Sequence, residues 1–262
     1  MKKMIWLTIS IISILGLVIF AYGFGQSIKI GIEVNQAPEE PQLVMENSPE
    51  PLDVKSILAM GDSLARGTGD INGQGFVGLI AAAISDARGE PVPLFNISME
   101  GLRTSMLLSQ INEPNTIDGI RSANLILISI GGNDIRSIEE VDSAQKSQYY
   151  QETLETYTSQ LKEVLTKIRA ENKDAFIVFL GLYNLNYNDS NAENSSWLIE
   201  WNHSTQKLVE SFENTIFTPT YDLFKLNSEL FISADGLHPN SEGHKAIADR
   251  ILKNINYGTF FE

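Results

Sequence analysis

Four short motifs place chemically useful side chains along one chain: Gly61-Asp62-Ser63-Leu64, Asn96 followed by Gly101, Gly131-Gly132-Asn133-Asp134, and Asp235-Gly236-Leu237-His238-Pro239. A serine hydroxyl is a poor nucleophile near neutral pH until a base takes its proton, and a histidine, with an unperturbed pKa of about 6.5, suits that task. His238 is the candidate base for Ser63. Asp235, three residues earlier, can reach the other ring nitrogen, fix the tautomer and compensate the charge that develops there. Attack on a carbonyl puts negative charge on its oxygen, and each donor already aimed at that point is worth roughly 2.7–4 kcal/mol. The candidate donors are the backbone N–H groups of Ser63 and Gly101 and the side-chain amide of Asn133; glycine at 101 lets the main chain come close to a substrate. Together these groups suit acyl transfer from an ester to serine.

Two other readings use the same residues. Asp62, Asp134, Asp235 and His238 can be taken as hard-metal ligands of a phosphoesterase, which leaves Ser63 and Asn133 without a role. A non-catalytic binding module on the cell surface leaves every reactive group idle. His203 and His244, the two other histidines, fall in predicted helices and read as surface residues. Gly73-Gln74-Gly75-Phe76-Val77-Gly78 spells a dinucleotide-binding pattern, but no strand leads straight into it and no acidic residue ends a second strand about twenty positions on. The elbow G-x-S-x-G is absent, since Leu64 and Ala65 follow Ser63.

The elements that must position these groups alternate short apolar runs with longer stretches of helical period, the pattern of βαβ units around a parallel sheet. Strands are predicted at Ser56–Met60, Pro93–Ile97, Leu125–Ile130, Ala175–Leu180 and Thr215–Thr218, each buried on both faces. Helices are predicted at Phe76–Arg88, over Thr104–Arg121 with a break, near Ser143–Glu171, at Ser195–Glu213 and near Glu242–Asn254. In the long one Leu154, Tyr157, Leu161, Leu165 and Ile168 form one stripe that faces the sheet. The fold class is α/β. In such sheets ligands bind beyond the carboxyl ends of the strands, where all four motifs fall.

Composition narrows the rest. Lys and Arg number 19 against 33 Asp and Glu, a net charge of −14, so neither nucleic acid nor an anionic lipid surface is an expected partner. With no cysteine, thiolate catalysis, disulfides and iron–sulfur clusters are excluded. No metal or other cofactor is expected. Residues 1–25 read as a targeting segment: Lys2 and Lys3 precede an uncharged run from Met4 to Phe24, long enough to cross roughly 30 Å of hydrocarbon. The positive-inside rule then places the following chain outside the cytoplasm, with the membrane met only through that N-terminal helix. An uncleaved anchor is favoured, with cleavage at Ala21-Tyr22-Gly23 and secretion as the alternative. Residues 26–53, rich in proline and glutamate, read as a spacer, the alternative being a short edge strand at Ile28–Val34. Residues 54–262 form the remaining domain.

The motifs resemble those of the SGNH or GDSL hydrolases. The first block appears as Ile57-Leu58-Ala59-Met60-Gly61-Asp62-Ser63-Leu64, the second as Asn96-Ile97-Ser98-Met99-Glu100-Gly101, the third as Gly131-Gly132-Asn133-Asp134 and the last as Asp235-Gly236-Leu237-His238-Pro239. The likeness spans about Ser56 to Asn254. It implies a flavodoxin-like five-stranded sheet in a three-layer α/β/α sandwich and a serine esterase or lipase. It also implies Ser63 as nucleophile, Asp235 and His238 as its partners, and Ser63, Gly101 and Asn133 as the oxyanion hole. Within the family the chain looks most like the bacterial lipase/acylhydrolase branch with an N-terminal membrane segment. The ester itself, whether a lipid acyl ester, an O-acetyl group on a wall polymer or a small ester, stays open. Tyr183, Asn184 and Tyr187, in the loop after the fourth strand, are the candidate substrate-binding residues, and Arg66 and Arg103 stand near two site motifs, with contact to a phosphate and plain solvation as their two readings.

Overall fold

The computed structural model describes residues 15–18, 20–22, 52–183 and 192–256. The chain divides into two units, Met1–Glu50 and Pro51–Glu262. In the first, the described residues are helical and exposed. Among the described residues no helix is long and apolar enough to cross a membrane. Most of the run predicted as an anchor, the predicted spacer apart from Leu52 and Asp53, and the alternative strand at Ile28–Val34 lie outside the described residues.

The second unit carries, in chain order, β1 (Ile57–Gly61), α1 (Ser63–Arg66), α2 (Gly75–Arg88), β2 (Leu94–Asn96), α3 (Thr104–Gln110), α4 (Pro114–Ser122), β3 (Leu125–Ser129) and α5 (Gly132–Arg136). A 3₁₀ turn (Ser137–Glu140), α6 (Lys146–Glu171), β4 (Phe176–Leu180), α7 (Ala192–Val209), β5 (Thr215–Thr218), α8 (Tyr221–Phe231) and α9 (Ser241–Asn254) follow. The strands pair in parallel in the order β2-β1-β3-β4-β5.

Because side chains alternate across a strand, each inner strand feeds two cores. Leu58, Met60, Ile126, Ile128, Ile177 and Phe179 pack on one face with residues of α3, α4, α6 and α7. Ile57, Ala59, Leu125, Leu127, Val178 and Leu180 pack on the other with α2, α8 and α9. The result is a three-layer α/β/α sandwich around a five-stranded parallel sheet. The stripe on α6 is buried from Leu154 to Ile168, as its spacing predicts. Pro114 splits the segment Thr104–Arg121 by opening α4 at a first-turn position, where its missing N–H costs nothing.

Two strands depart from expectation: β5 is only half-buried at Thr215 and Ile216, and β2 departs further. β2 is only three residues long, and Leu94, Phe95 and Asn96 are all exposed rather than buried on both faces. It lies at the sheet edge with β1 as its one partner, and strand order is not written in local hydropathy. Three helices escape the sequence reading. α1 and α5 are too short to show a period, and α8 is kinked at Asn227 (φ −136°, ψ 27°).

Candidate active site

The site is built at the carboxyl end of the sheet. β1 closes on Gly61 at φ +134°, where a Cβ would lie 1.8 Å from the Ser129 carbonyl oxygen of neighbouring β3, so only glycine fits. The Asp62 N–H donates to that same oxygen at 2.9 Å. The Asp62 side chain caps α1 by accepting from Leu64 N–H at 3.1 Å and also accepts from Ser129 Oγ at 3.3 Å. Burial pushes its carboxyl up to about 7, against the pull of those hydrogen bonds and with the Asp134 charge adding to the rise. Ser63 is thereby set as the first residue of α1, directly after the strand.

His238 reaches it from the loop before α9. Its Nε2 lies 2.8 Å from Ser63 Oγ, and its Nδ1 lies 2.7 Å from Asp235 Oδ2. The other Asp235 oxygen accepts from Ser233 Oγ (2.7 Å), Leu237 N–H (2.8 Å) and His238 N–H (2.9 Å). Partial burial raises the Asp235 carboxyl, but the His238 ring and then these donors outweigh it and hold the group well below the ordinary carboxylate range. An ionised Asp235 takes a proton donor at Nδ1. The partners thus assign the Nε2 lone pair to the serine hydroxyl.

The residues that carry the three candidate oxyanion donors, Ser63, Gly101 and Asn133, line one cavity. Gly101 turns at φ +73° with nothing within 4 Å of where a Cβ would stand. The amides of Ser63 and Gly101 donate to no backbone acceptor among the described residues. Asn133 Nδ2 donates one hydrogen to the Leu102 carbonyl at 3.0 Å, and the side chain borders the same cavity as Ser63, Gly101 and His238. Asp134 supports this pairing: it is buried and accepts from Thr104 N–H and Thr104 Oγ1, each at 3.1 Å. Burial raises its carboxyl above the usual range, with the Thr104 bonds opposing. Asn133 and Asp134 therefore pin Leu102 and Thr104 to the first turn of α5.

The cavity measures about 360 Å³. Its apolar wall is made by Ile135, Ile138, Leu182, Trp197 and Leu198, and its lining also includes the charged residues Glu100, Arg136, Glu139 and Lys146. Of the residues named as substrate contacts, Tyr183 borders the cavity, but it is buried, stacks on Phe224 and donates its hydroxyl to the Leu237 carbonyl at 2.9 Å. It braces the His238 loop instead of offering a free hydroxyl. Asn184 and Tyr187 lie outside the described residues. Arg66 pairs with Glu100 at 3.9 Å, both exposed, and Arg103 precedes α3. Ser233 was not singled out from the sequence, although its place two residues before Asp235 was the available signal.

His203 is exposed, as expected. His244 is not: it is fully buried, accepting from Phe76 N–H at Nδ1 (3.1 Å) and donating from Nε2 to the Thr68 carbonyl (3.0 Å). Two backbone partners satisfy both ring nitrogens, so burial is tolerated and favours the neutral ring. The metal-site alternative finds no matching geometry. Asp62, Asp134 and Asp235 face separate donors, and among the described residues no group of three or more His, Asp or Glu side chains is arranged to hold a metal ion.

Known proteins share this architecture. Residues 57–251 match the family described as GDSL-like Lipase/Acylhydrolase. The uncharacterized protein YpmR of Bacillus subtilis (strain 168) is 30% identical over 206 residues, 76% of this chain and 80% of that protein. The spore germination lipase LipC of Bacillus licheniformis is 28% identical over 207 residues, 76% of this chain and 95% of that one. The solved structure of the lipase Lip_vut3 from a goat rumen metagenome aligns with a TM-score of 0.70 at 27% identity, covering 78% of this chain and 98% of its own. The family match runs from β1 into α9 and takes in all four motifs, and on that ground the chain belongs to the GDSL-like lipase/acylhydrolase family and is a carboxylic ester hydrolase.

Proposed function

We propose that the chain hydrolyses its ester through an acyl-enzyme on Ser63. As Ser63 Oγ bonds to the ester carbonyl carbon, its proton passes to His238 Nε2, and the imidazolium is balanced by Asp235. The carbonyl oxygen, now negative, takes hydrogen bonds from the Ser63 and Gly101 amides and from the remaining Nδ2 hydrogen of Asn133. Collapse of this intermediate breaks the ester C–O bond, and the leaving alkoxide receives the proton from His238. Water then repeats the sequence against the acyl-serine and releases the carboxylic acid. The observation that carries this reading is the unbroken relay from Ser63 Oγ through the His238 ring to Asp235, at 2.8 Å and 2.7 Å.

The apolar wall beside the relay supports an acyl group of several carbons over acetate, since burying each methylene contributes about 0.8 kcal/mol. The lipase name of the relative from Bacillus licheniformis supports the same choice. We further propose that residues 54–262 work outside the cytoplasmic membrane, held by residues 1–25 across the spacer 26–53. Lys2, Lys3 and the uncharged run after them support this placement. Protease added to intact cells is expected to remove the domain; full protection, with digestion only after lysis, would contradict the placement.

Asp235→Asn should leave the fold intact and lower kcat roughly 10³–10⁴-fold by misorienting the imidazole, and Asn133→Ala should lower kcat roughly 10²–10³-fold with little change in KM. Near-normal turnover in Asp235→Asn would remove the assignment. With p-nitrophenyl esters of graded length, kcat/KM is expected to rise from acetate to longer chains, and Ile138→Trp to suppress the longer chains selectively. A maximum at acetate, indifferent to Ile138→Trp, would contradict the acyl pocket.

Asp62 yields a stability prediction. The folded protein keeps its proton up to about 7, whereas an unfolded aspartate releases it near 3.9. The raised value means that stability is full below the unfolded value and falls as pH rises through the folded one. Asp62→Asn keeps an acceptor for Leu64 and Ser129 without the charge. In urea titrations it should exceed the wild type at pH 8 by on the order of 4 kcal/mol, with the difference vanishing near pH 4; equal stability at pH 8 would refute the burial argument.

A further inference from the structure

The loop after α1 and the segment from His238 into α9 are fastened together by contacts that no step above uses. Asp70 is their centre: one carboxylate oxygen accepts from Asn72 N–H (3.0 Å) and Ser241 Oγ (2.6 Å), the other from Gln74 N–H (3.0 Å) and Gly75 N–H (2.8 Å). Partial burial raises this carboxyl, but Ser241 and then the three amides hold it down to about 2, so it stays ionised through any working pH. One residue earlier, Gly69 sits at φ +95°, where a Cβ would lie 2.2 Å from the Pro239 carbonyl oxygen and 3.0 Å from His238 Cβ. The backbone of this loop therefore rests directly on the residue that carries the imidazole. On the far side, the His244 ring of α9 links Thr68 and Phe76, the two ends of the same loop.

These ties join the chain just after Ser63 to the chain just around His238. The two reacting groups come from elements 175 residues apart in sequence, and the sheet alone fixes only Ser63. Tolerance between them is small, because a displacement of about 1 Å can cost about 10²-fold in rate.

We propose that Asp70, acting through Ser241, is a positioning residue that sets the approach of the His238 imidazole to Ser63. This rests on the catalytic reading of those two residues. Asp70 and Ser241 touch no reacting atom; they hold the loop against which the His238 backbone is seated. Loss of the clasp moves the ring without altering the cavity that receives the acyl chain, so kcat falls and KM does not.

The test uses the full chain with a p-nitrophenyl ester. Ser241→Ala is expected to lower kcat about tenfold with KM within about twofold, and Ser241→Thr, which restores a hydroxyl, to recover it; Asp70→Asn is expected to lower kcat roughly 10²-fold. Because Asp70 is charged throughout, these ratios should be constant from about pH 5 to 9. Unchanged kcat in Ser241→Ala, or a loss that Ser241→Thr fails to recover, overturns the proposal even if Asp70→Asn does not fold. A fall in melting temperature without a fall in kcat does the same. An active Ser63→Ala would instead overturn the catalytic reading beneath it, so the two failures are distinguishable.

Discussion

A neutral imidazole held between a hydroxyl and an ionised carboxylate is the constraint from which the rest of this structure can be understood. His238 has to present a lone pair to Ser63 and a proton to Asp235 at once, and both contacts are shorter than 3 Å. Neither partner is free to adjust. Ser63 is fixed by the end of a central strand and the cap of α1, while Asp235 is fixed by three further donors from its own loop. A parallel sheet suits this demand because its strands all deliver their following loops to one edge, so residues far apart in sequence meet there.

The acidic groups around that edge are treated in two opposite ways. Asp235 and Asp70 lie near solvent and are surrounded by donors, which hold them ionised and make them fixed points of the loops. Asp62 and Asp134 are buried close to the nucleophile and the Asn133 amide, and burial raises both. The oxygens of both still accept hydrogen bonds, from Leu64, Ser129 and Thr104, so that these buried groups also act as fixed points of the site.

That Ser63, Asp235 and His238 should meet was legible because acyl transfer requires those side-chain types, and the apolar runs of β1 and β3, which precede Ser63 and Asn133, are plain in the sequence. The layers were legible for the same reason, since alternation in β1, β3 and β4 feeds two separate cores. What was missed depends on contacts between distant segments. The exposure of β2 follows from its edge position, which local hydropathy does not encode. Tyr183 read as a candidate substrate contact because nothing nearby in sequence names Leu237 as the acceptor of its hydroxyl. His244 had a usable signal: it shares a helical face with Ile247 and Ile251 at spacings of three and seven, and all three are buried. Asp70, in a loop rich in glycine, carries no local signal of its role, because its partner Ser241 lies 171 positions away.

The central claim is that Ser63 is the atom that bonds to substrate because His238 activates it. Intact-protein mass spectrometry after treatment with a fluorophosphonate reads this directly. The account predicts one adduct per chain, on Ser63 by peptide mapping, formed far more slowly in His238→Ala and insensitive to EDTA. An unlabelled but active enzyme, or an adduct on another residue, would contradict it.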